Sequence, residues 1–326
     1  MNIFDEKMIR TEKEFPIFLK NELSLWVEEN IKDGYFESYD GTKLHYVKAV
    51  NPEEGAAVVI SHGFSEYAGK FNEMIYYFYN MGFSVFLVEH RGHALSQRFV
   101  ADLENVYIKS YDEYIQDMKC FMDKIVLENS VTKKCFLFGH SMGGCISALF
   151  LEKYPQYFRA AVLSAPMLSM EVKGVPDNLL KLFMAVAAKC GFGKKIVPGL
   201  KKTEPEYDFV NSNALSEARY AYGLDEKNKV PQTVAHMATI SWAAASLKAM
   251  EKLHKNADKI KTPILLFQAG LDAMVTPKGQ DDFANETEYV DKVRYPKAKH
   301  EIFLSSDSDL RDYYSRIFEF FGKYIF

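Results

Sequence analysis

With 326 residues, 48% of them hydrophobic and 26% charged, the chain can bury a sizeable core and is too apolar for disorder. A net charge of -4 and a pI near 6.1 leave no strongly basic surface, which argues against nucleic acid as a partner. Charges interrupt residues 1–7 where a secretory signal needs its apolar core, and no run reaches the roughly 18 apolar residues of a spanning helix, so a cytoplasmic location is expected.

Residues 1–33 read as an amphipathic arm, followed by an alternating hairpin at 35–38 and 43–50 around the turn Asp40-Gly41. Short apolar runs then alternate with helical segments: strand 56–60 and helix 70–80, strand 84–88 and helix 111–127, strand 136–138 and helix 142–154. After a strand at 160–163 the alternation stops until about residue 240. It resumes with helix 241–252, strand 263–268, helix 278–285, strand 292–295 and helix 310–322. The pattern predicts an α/β fold: a mostly parallel eight-stranded sheet, covered by helices on both faces. The arm (1–33) precedes a core built from 34–165 and 241–326, and residues 166–240 form a helical cap inserted after the sixth strand. Cys120, Cys135, Cys145 and Cys190 have no C-x-x-C spacing, which favours buried thiols over disulfides or a metal site.

In Gly139-His140-Ser141-Met142-Gly143 a predicted strand runs through one sharp turn into a predicted helix, with a hydroxyl at the apex. Glycine two before and two after Ser141 lets strand and helix pack closely. A serine hydroxyl needs a base to take its proton, and the base needs an orienting group. His300 is the only histidine beyond the seventh strand and follows the last strand, so it is the candidate base. Asp272, on the loop after Leu265-Leu266-Phe267-Gln268-Ala269-Gly270-Leu271, is the candidate orienting acid. His236 and His254 read as packing or solvated residues, and Asp281 and Asp282 as the wet face of a helix. An oxyanion needs two amides; Met142 offers one, and Phe64, after the strand ending in Ser61-His62-Gly63, offers the other.

Those residues carry a resemblance. His62-Gly63-Phe64-Ser65-Glu66-Tyr67 with Lys70-Phe71 and Glu73, then Glu89-His90-Arg91-Gly92-His93-Ala94-Leu95-Ser96, then Gly139-His140-Ser141-Met142-Gly143-Gly144, resemble the monoacylglycerol lipase and bacterial lysophospholipase group of α/β-hydrolases. Asn213-Ala214-Leu215-Ser216-Glu217-Ala218-Arg219-Tyr220 is similar to the bacterial lysophospholipase branch. The resemblance implies an α/β-hydrolase fold, the triad Ser141, Asp272 and His300, and an oxyanion hole of Phe64 and Met142. Two positions depart from the group's Asp-x-Arg-Gly-x-Gly-x-Ser: Glu89 replaces the acid and Ala94 the second glycine. They shape a supporting loop, so they bear on local geometry and substrate entry rather than on the reaction.

The expected activity is hydrolysis of single-chain lipid esters, monoacylglycerols or lysophospholipids, through an acyl-serine and without metal or organic cofactor. Activity is expected to rise as His300 loses its proton. The apolar run Asn178-Leu179-Leu180-Lys181-Leu182-Phe183-Met184-Ala185-Val186-Ala187-Ala188, trailed by Lys189, Lys194, Lys195, Lys201 and Lys202, suits an acyl chain and transient contact with a membrane or micelle surface, which would make the protein peripheral at the inner face. The alternative is a helix packed on the sheet with solubilising lysines. Two other functions stay open: a serine aminopeptidase, with Glu204, Glu206 or Asp208 holding the substrate ammonium, and a non-catalytic ligand-binding module. The filled triad positions argue against the last.

Overall fold

The computed structural model describes residues 4–170, 177–200 and 207–326. In chain order its strands are β1 (Lys32–Glu37), β2 (Lys43–Ala49), β3 (Ala56–Ser61), β4 (Phe83–Val88), β5 (Asn105–Val106), β6 (Cys135–His140), β7 (Ala161–Ser164), β8 (Met237–Ala238), β9 (Ile264–Ala269) and β10 (Val290–Tyr295). Eight of them form one sheet in the order β1-β2-β4-β3-β6-β7-β9-β10, while β5 and β8 pair separately. The hairpin β1-β2 is antiparallel, as is β2 to β4. All other pairs in the large sheet are parallel.

The central strands β3, β4, β6, β7 and β9 are buried throughout, because parallel strands with helices on both faces have no wet side. Their two-residue period sorts the side chains into two cores. Ala57, Val59, Cys135 and Leu137 face the helices Tyr111–Phe121, Met142–Lys153 and Ile240–Asn256. Val58, Ile60, Phe136 and Phe138 face Asn72–Asn80, Asp307–Gly322 and the N-terminal arm.

Between β7 and β9 the chain leaves the sheet and contributes the helices Asp177–Ala187 and Glu217–Lys229. The first neither lies on the sheet nor is free. Leu180 and Met184 are buried against Ile240–Asn256, while Leu179, Leu182, Phe183 and Val186 form an exposed stripe at helical spacing. The second helix is clamped. Ser216 caps it by accepting from the Arg219 amide. The Arg219 guanidinium, 1% exposed, makes two 2.8 Å hydrogen bonds to Glu73, a third of 2.6 Å to the Arg10 carbonyl, and lies over the Phe15 ring. Glu12 accepts from the Ala218 amide, and its own amide donates to Asp307, so the arm ties the inserted helix to the last helix.

Removing one member of a buried ion pair leaves the other charge uncompensated. Arg219→Met should therefore lower stability by about 3–5 kcal/mol, read as a fall in the urea or thermal unfolding midpoint. Arg316→Met, which breaks a half-exposed pair with Asp312, should cost no more than about 1 kcal/mol.

Candidate active site

Ser141 sits at the turn between β6 and the helix Met142–Lys153 with φ 52° and ψ -117°, a region where a side chain is strained. The surroundings impose it. The Ser141 amide donates to the Ser164 carbonyl at 3.1 Å, and its carbonyl accepts from Gly144, Cys145 and Met167. A Cβ on Gly139 would lie 2.8 Å from the Gly143 carbonyl oxygen, and one on Gly143 would lie 2.5 Å from that of His62 and closer still to that of Ser61. Only glycine lets strand and helix approach this far. Ser141 is 8% exposed.

The loop after β9 carries Asp272 and the loop after β10 carries His300, joined by the Leu271 amide donating to the Ala298 carbonyl. His300 Nδ1–H donates to Asp272 Oδ2 at 2.7 Å, which leaves Nε2 as the acceptor. Asp272 Oδ1 accepts from the amides of Met274 and Val275 at 2.8 and 3.0 Å. Burial alone would raise the Asp272 pKa, but the hydrogen bond and charge of His300, with the two amides, hold it below the ordinary carboxylate value. His300 comes to the serine turn through His140: their rings are 4.9 Å apart, and His140 Nε2 is 3.4 Å from the His300 carbonyl oxygen. Among the described residues no hydrogen bond joins Ser141 Oγ to the His300 ring; such contacts are often long before substrate binds.

Phe64 lies in the turn after β3, and Met142 opens the helix behind Ser141. Among the described residues neither amide donates a hydrogen bond outside a helix or strand. His62 braces the Phe64 turn, its Nδ1–H donating to the Gly63 carbonyl at 2.7 Å and its Nε2 accepting from the His90 amide at 2.9 Å. Burial pushes the His62 pKa down, so the ring is neutral in this role. The Phe64 ring packs on Trp242 and His93.

Three charged residues beside the site were not singled out for a role by the sequence reading. Lys70 Nζ lies 2.9 Å from Glu66 and 2.6 Å from Glu301. Glu66 also accepts from His140 Nδ1 at 3.0 Å and from the Gly63 amide at 2.5 Å. Burial would raise the Glu66 pKa, but His140 and Lys70 hold it well below the ordinary carboxylate range. The only sequence signals were the four-residue spacing of Glu66 and Lys70 and the adjacency of Glu301 to His300.

The two departures also find a structural account. Glu89 reaches two loops, accepting from the amides of Ala68 and Leu95 at 2.9 Å each and from His45 Nδ1 at 3.0 Å. Ala94 adopts φ 41°, so the turn keeps a glycine-like backbone without glycine. Of the carboxylates considered for an ammonium, Glu204 and Glu206 lie outside the described residues, as do Lys201 and Lys202; Asp208 is exposed and accepts from Asn211. His254 bridges Glu286 and the Leu168 carbonyl, and His236 Nδ1 meets the Val234 carbonyl.

The chain matches the Hydrolase_4 family, described as serine aminopeptidase S33, over residues 52–307. It is 26% identical over 285 residues to the probable lysophospholipase L2 of Haemophilus influenzae, covering 86% of this chain and 87% of that protein. It is 25% identical over 281 residues to the monoacylglycerol lipase of Mycolicibacterium smegmatis, covering 84% and 92%. The fold is similar to that of the Paleococcus ferrophilus monoacylglycerol lipase, with a TM-score of 0.65, 23% identity and coverage of 85% and 97%. It is similar too to a soluble variant of the Saccharomyces cerevisiae monoglyceride lipase, with a TM-score of 0.68, 18% identity and coverage of 90% and 96%.

The buried Glu89–His45 pair should make stability depend on pH in a defined window. For His45, burial alone lowers the pKa, but Glu89 and then Asp33 raise it above its ordinary 6.5; its contribution is complete below 6.5 and lost as pH rises through the raised value. For Glu89, burial raises and His45 with the two amides lowers the pKa below 4.5; its contribution is complete above 4.5 and lost as pH falls through the lowered value. His45→Gln should accordingly depress the thermal midpoint more at about pH 6 than at about pH 9. Equal depression at both would contradict the pairing.

Proposed function

The chain belongs to the Hydrolase_4 family of serine hydrolases, and on that premise we propose that it hydrolyses the carboxylic ester of single-chain lipids, monoacylglycerols or lysophospholipids, through an acyl-serine at Ser141. The observation that carries the reading is the 2.7 Å Asp272–His300 pair beside a serine held in a strained turn.

In this reading His300 Nε2 takes the Ser141 Oγ proton as the oxygen attacks the ester carbonyl. Asp272, kept ionised, holds the Nδ1–H tautomer and stabilises the imidazolium. The amides of Phe64 and Met142 receive the oxyanion, and the helix Met142–Lys153 adds the positive end of its dipole. The intermediate collapses by breaking the bond to the alcohol, which leaves with the proton from His300. Water then repeats the sequence on the acyl-serine, with His300 taking the water's proton and returning it to Ser141 Oγ. The protein needs no cofactor for these steps.

Lipid substrates are favoured over peptides by the names of the relatives and by the exposed stripe Leu179, Leu182, Phe183 and Val186. Burying each methylene of an acyl chain contributes about 0.8 kcal/mol. Lys189, Lys194 and Lys195 follow the stripe, a combination suited to brief contact of a cytoplasmic enzyme with an anionic lipid surface. Among the described residues no helix is long and apolar enough to cross a membrane.

Ser141→Ala should lower kcat on the preferred lipid ester by on the order of a million-fold while the fold persists. A fluorophosphonate should label the native chain at Ser141, mapped by mass spectrometry. Retained turnover in the variant, or preference for aminoacyl-naphthylamides over monoacylglycerols and lysophospholipids, would overturn the reading. Leu182→Asp with Phe183→Asp should reduce co-sedimentation with phosphatidylglycerol vesicles by about tenfold or more, since two apolar anchors become charges. Unchanged binding would remove the stripe from the lipid contact.

A further inference from the structure

Next to the site lies a cavity of about 260 Å³ between the turn after β3 and the helix Glu217–Lys229. Its walls include Ser65, Tyr67, Lys70, Lys227 and Glu301. Ser65 directly follows Phe64 and Glu301 directly follows His300, so the cavity shares its walls with the oxyanion turn and the base loop. The Tyr67 hydroxyl donates to the Gly223 carbonyl, pinning the helix over the turn.

The charges around the cavity are unequally satisfied. Lys70 has two carboxylates, and Arg219 has Glu73. Glu226, beside Lys227 in sequence, is taken by Lys229 and approached by Asn72. Lys227 is half-buried, and among the described residues its ammonium has neither a hydrogen bond nor a carboxylate within 4.0 Å. Burial lowers its pKa below the ordinary value, and nearby Lys70 acts in the same direction. Both effects would be relieved by an anion in the cavity. A neutral glycerol would relieve neither.

We propose that Lys227 receives the phosphate of a glycerophospho leaving group, so that this chain prefers lysophospholipids to monoacylglycerols. The proposal rests on the lipid-ester reading above. It assigns specificity to one side chain on a helix that the Arg219–Glu73 clamp holds in place, which sets the distance from the cation to the ester.

Two measurements on the intact chain test it. In calorimetric titration, sn-glycerol 3-phosphate should bind the native chain at least about tenfold more tightly than it binds Lys227→Gln, as expected for a charge-assisted contact. Glycerol should show no such difference, and inorganic phosphate should bind more weakly than glycerol 3-phosphate. In kinetics, the ratio of kcat/KM for a 1-acyl-glycerol 3-phosphate to that for the matching 1-acylglycerol should fall at least about tenfold in Lys227→Gln and recover in Lys227→Arg. Lys229→Gln, on the exposed side of the same helix, is the control, and thermal midpoints check that each variant folds. A ratio and an affinity indifferent to Lys227 overturn the proposal, as does inorganic phosphate binding as tightly as glycerol 3-phosphate. Lys227-dependent binding of glycerol 3-phosphate without turnover of either lipid supports the site and overturns the lipid-ester reading instead.

Discussion

The ammonium of Lys70 lies between the carboxylates of Glu66 and Glu301, and through them it ties together the loops that carry the candidate chemistry. Glu66 also holds the Gly63 amide beside Phe64 and the ring of His140 beside Ser141; Glu301 follows His300. Burying these charges costs several kcal/mol each in lost hydration, offset only when the geometry satisfies all of them together. The arrangement is therefore a weak source of stability and a strong source of register, because a loop displaced by a few ångströms would strand a buried charge. The turns carrying Phe64, Ser141 and His300 are far apart in sequence, and each borders a residue bound into this one small cluster.

The strand–turn–helix around Ser141 was legible from the sequence because every part of it is local. An apolar strand, glycines at two fixed offsets and a following apolar helix all lie within residues 135–153, and the geometry confirms why Gly139 and Gly143 have no substitute. The strands were legible for a related reason: in a sheet covered on both faces they are unbroken apolar runs. His300 and Asp272 could be picked out because both follow strand ends. Long-range charge pairing has no such signature. Nothing in the spacing of Lys70 and Glu301, or of Arg219 and Glu73, announces that they meet, since an ion pair imposes no period on the chain. Glu89 shows the converse. Its departure from the expected aspartate suggested altered geometry, and the longer side chain instead spans to two amides and an imidazole.

The helix Asp177–Ala187 divides between the two readings its sequence allowed. Leu180 and Met184 anchor it, but onto another helix rather than the sheet, and four apolar side chains remain facing water. Its neighbour Glu217–Lys229 is held by a buried bidentate ion pair, backbone hydrogen bonds and an aromatic face. The two inserted helices are thus fastened by different physics. Apolar anchoring of one side tolerates sliding, whereas a fork-shaped guanidinium pair does not.

The strap formed by the N-terminal arm has a consequence for how the polypeptide is made. Glu12 and Arg10 are translated before the groups they grip, Arg219, the Ala218 amide and Asp307, which are added some two to three hundred residues later. Until then the arm's apolar residues Phe15, Phe18 and Leu23 have only part of their final burial site. Closure of this strap must wait until Asp307 has been added, so a ribosome-bound nascent chain carries this apolar segment incompletely covered throughout the elongation between the two.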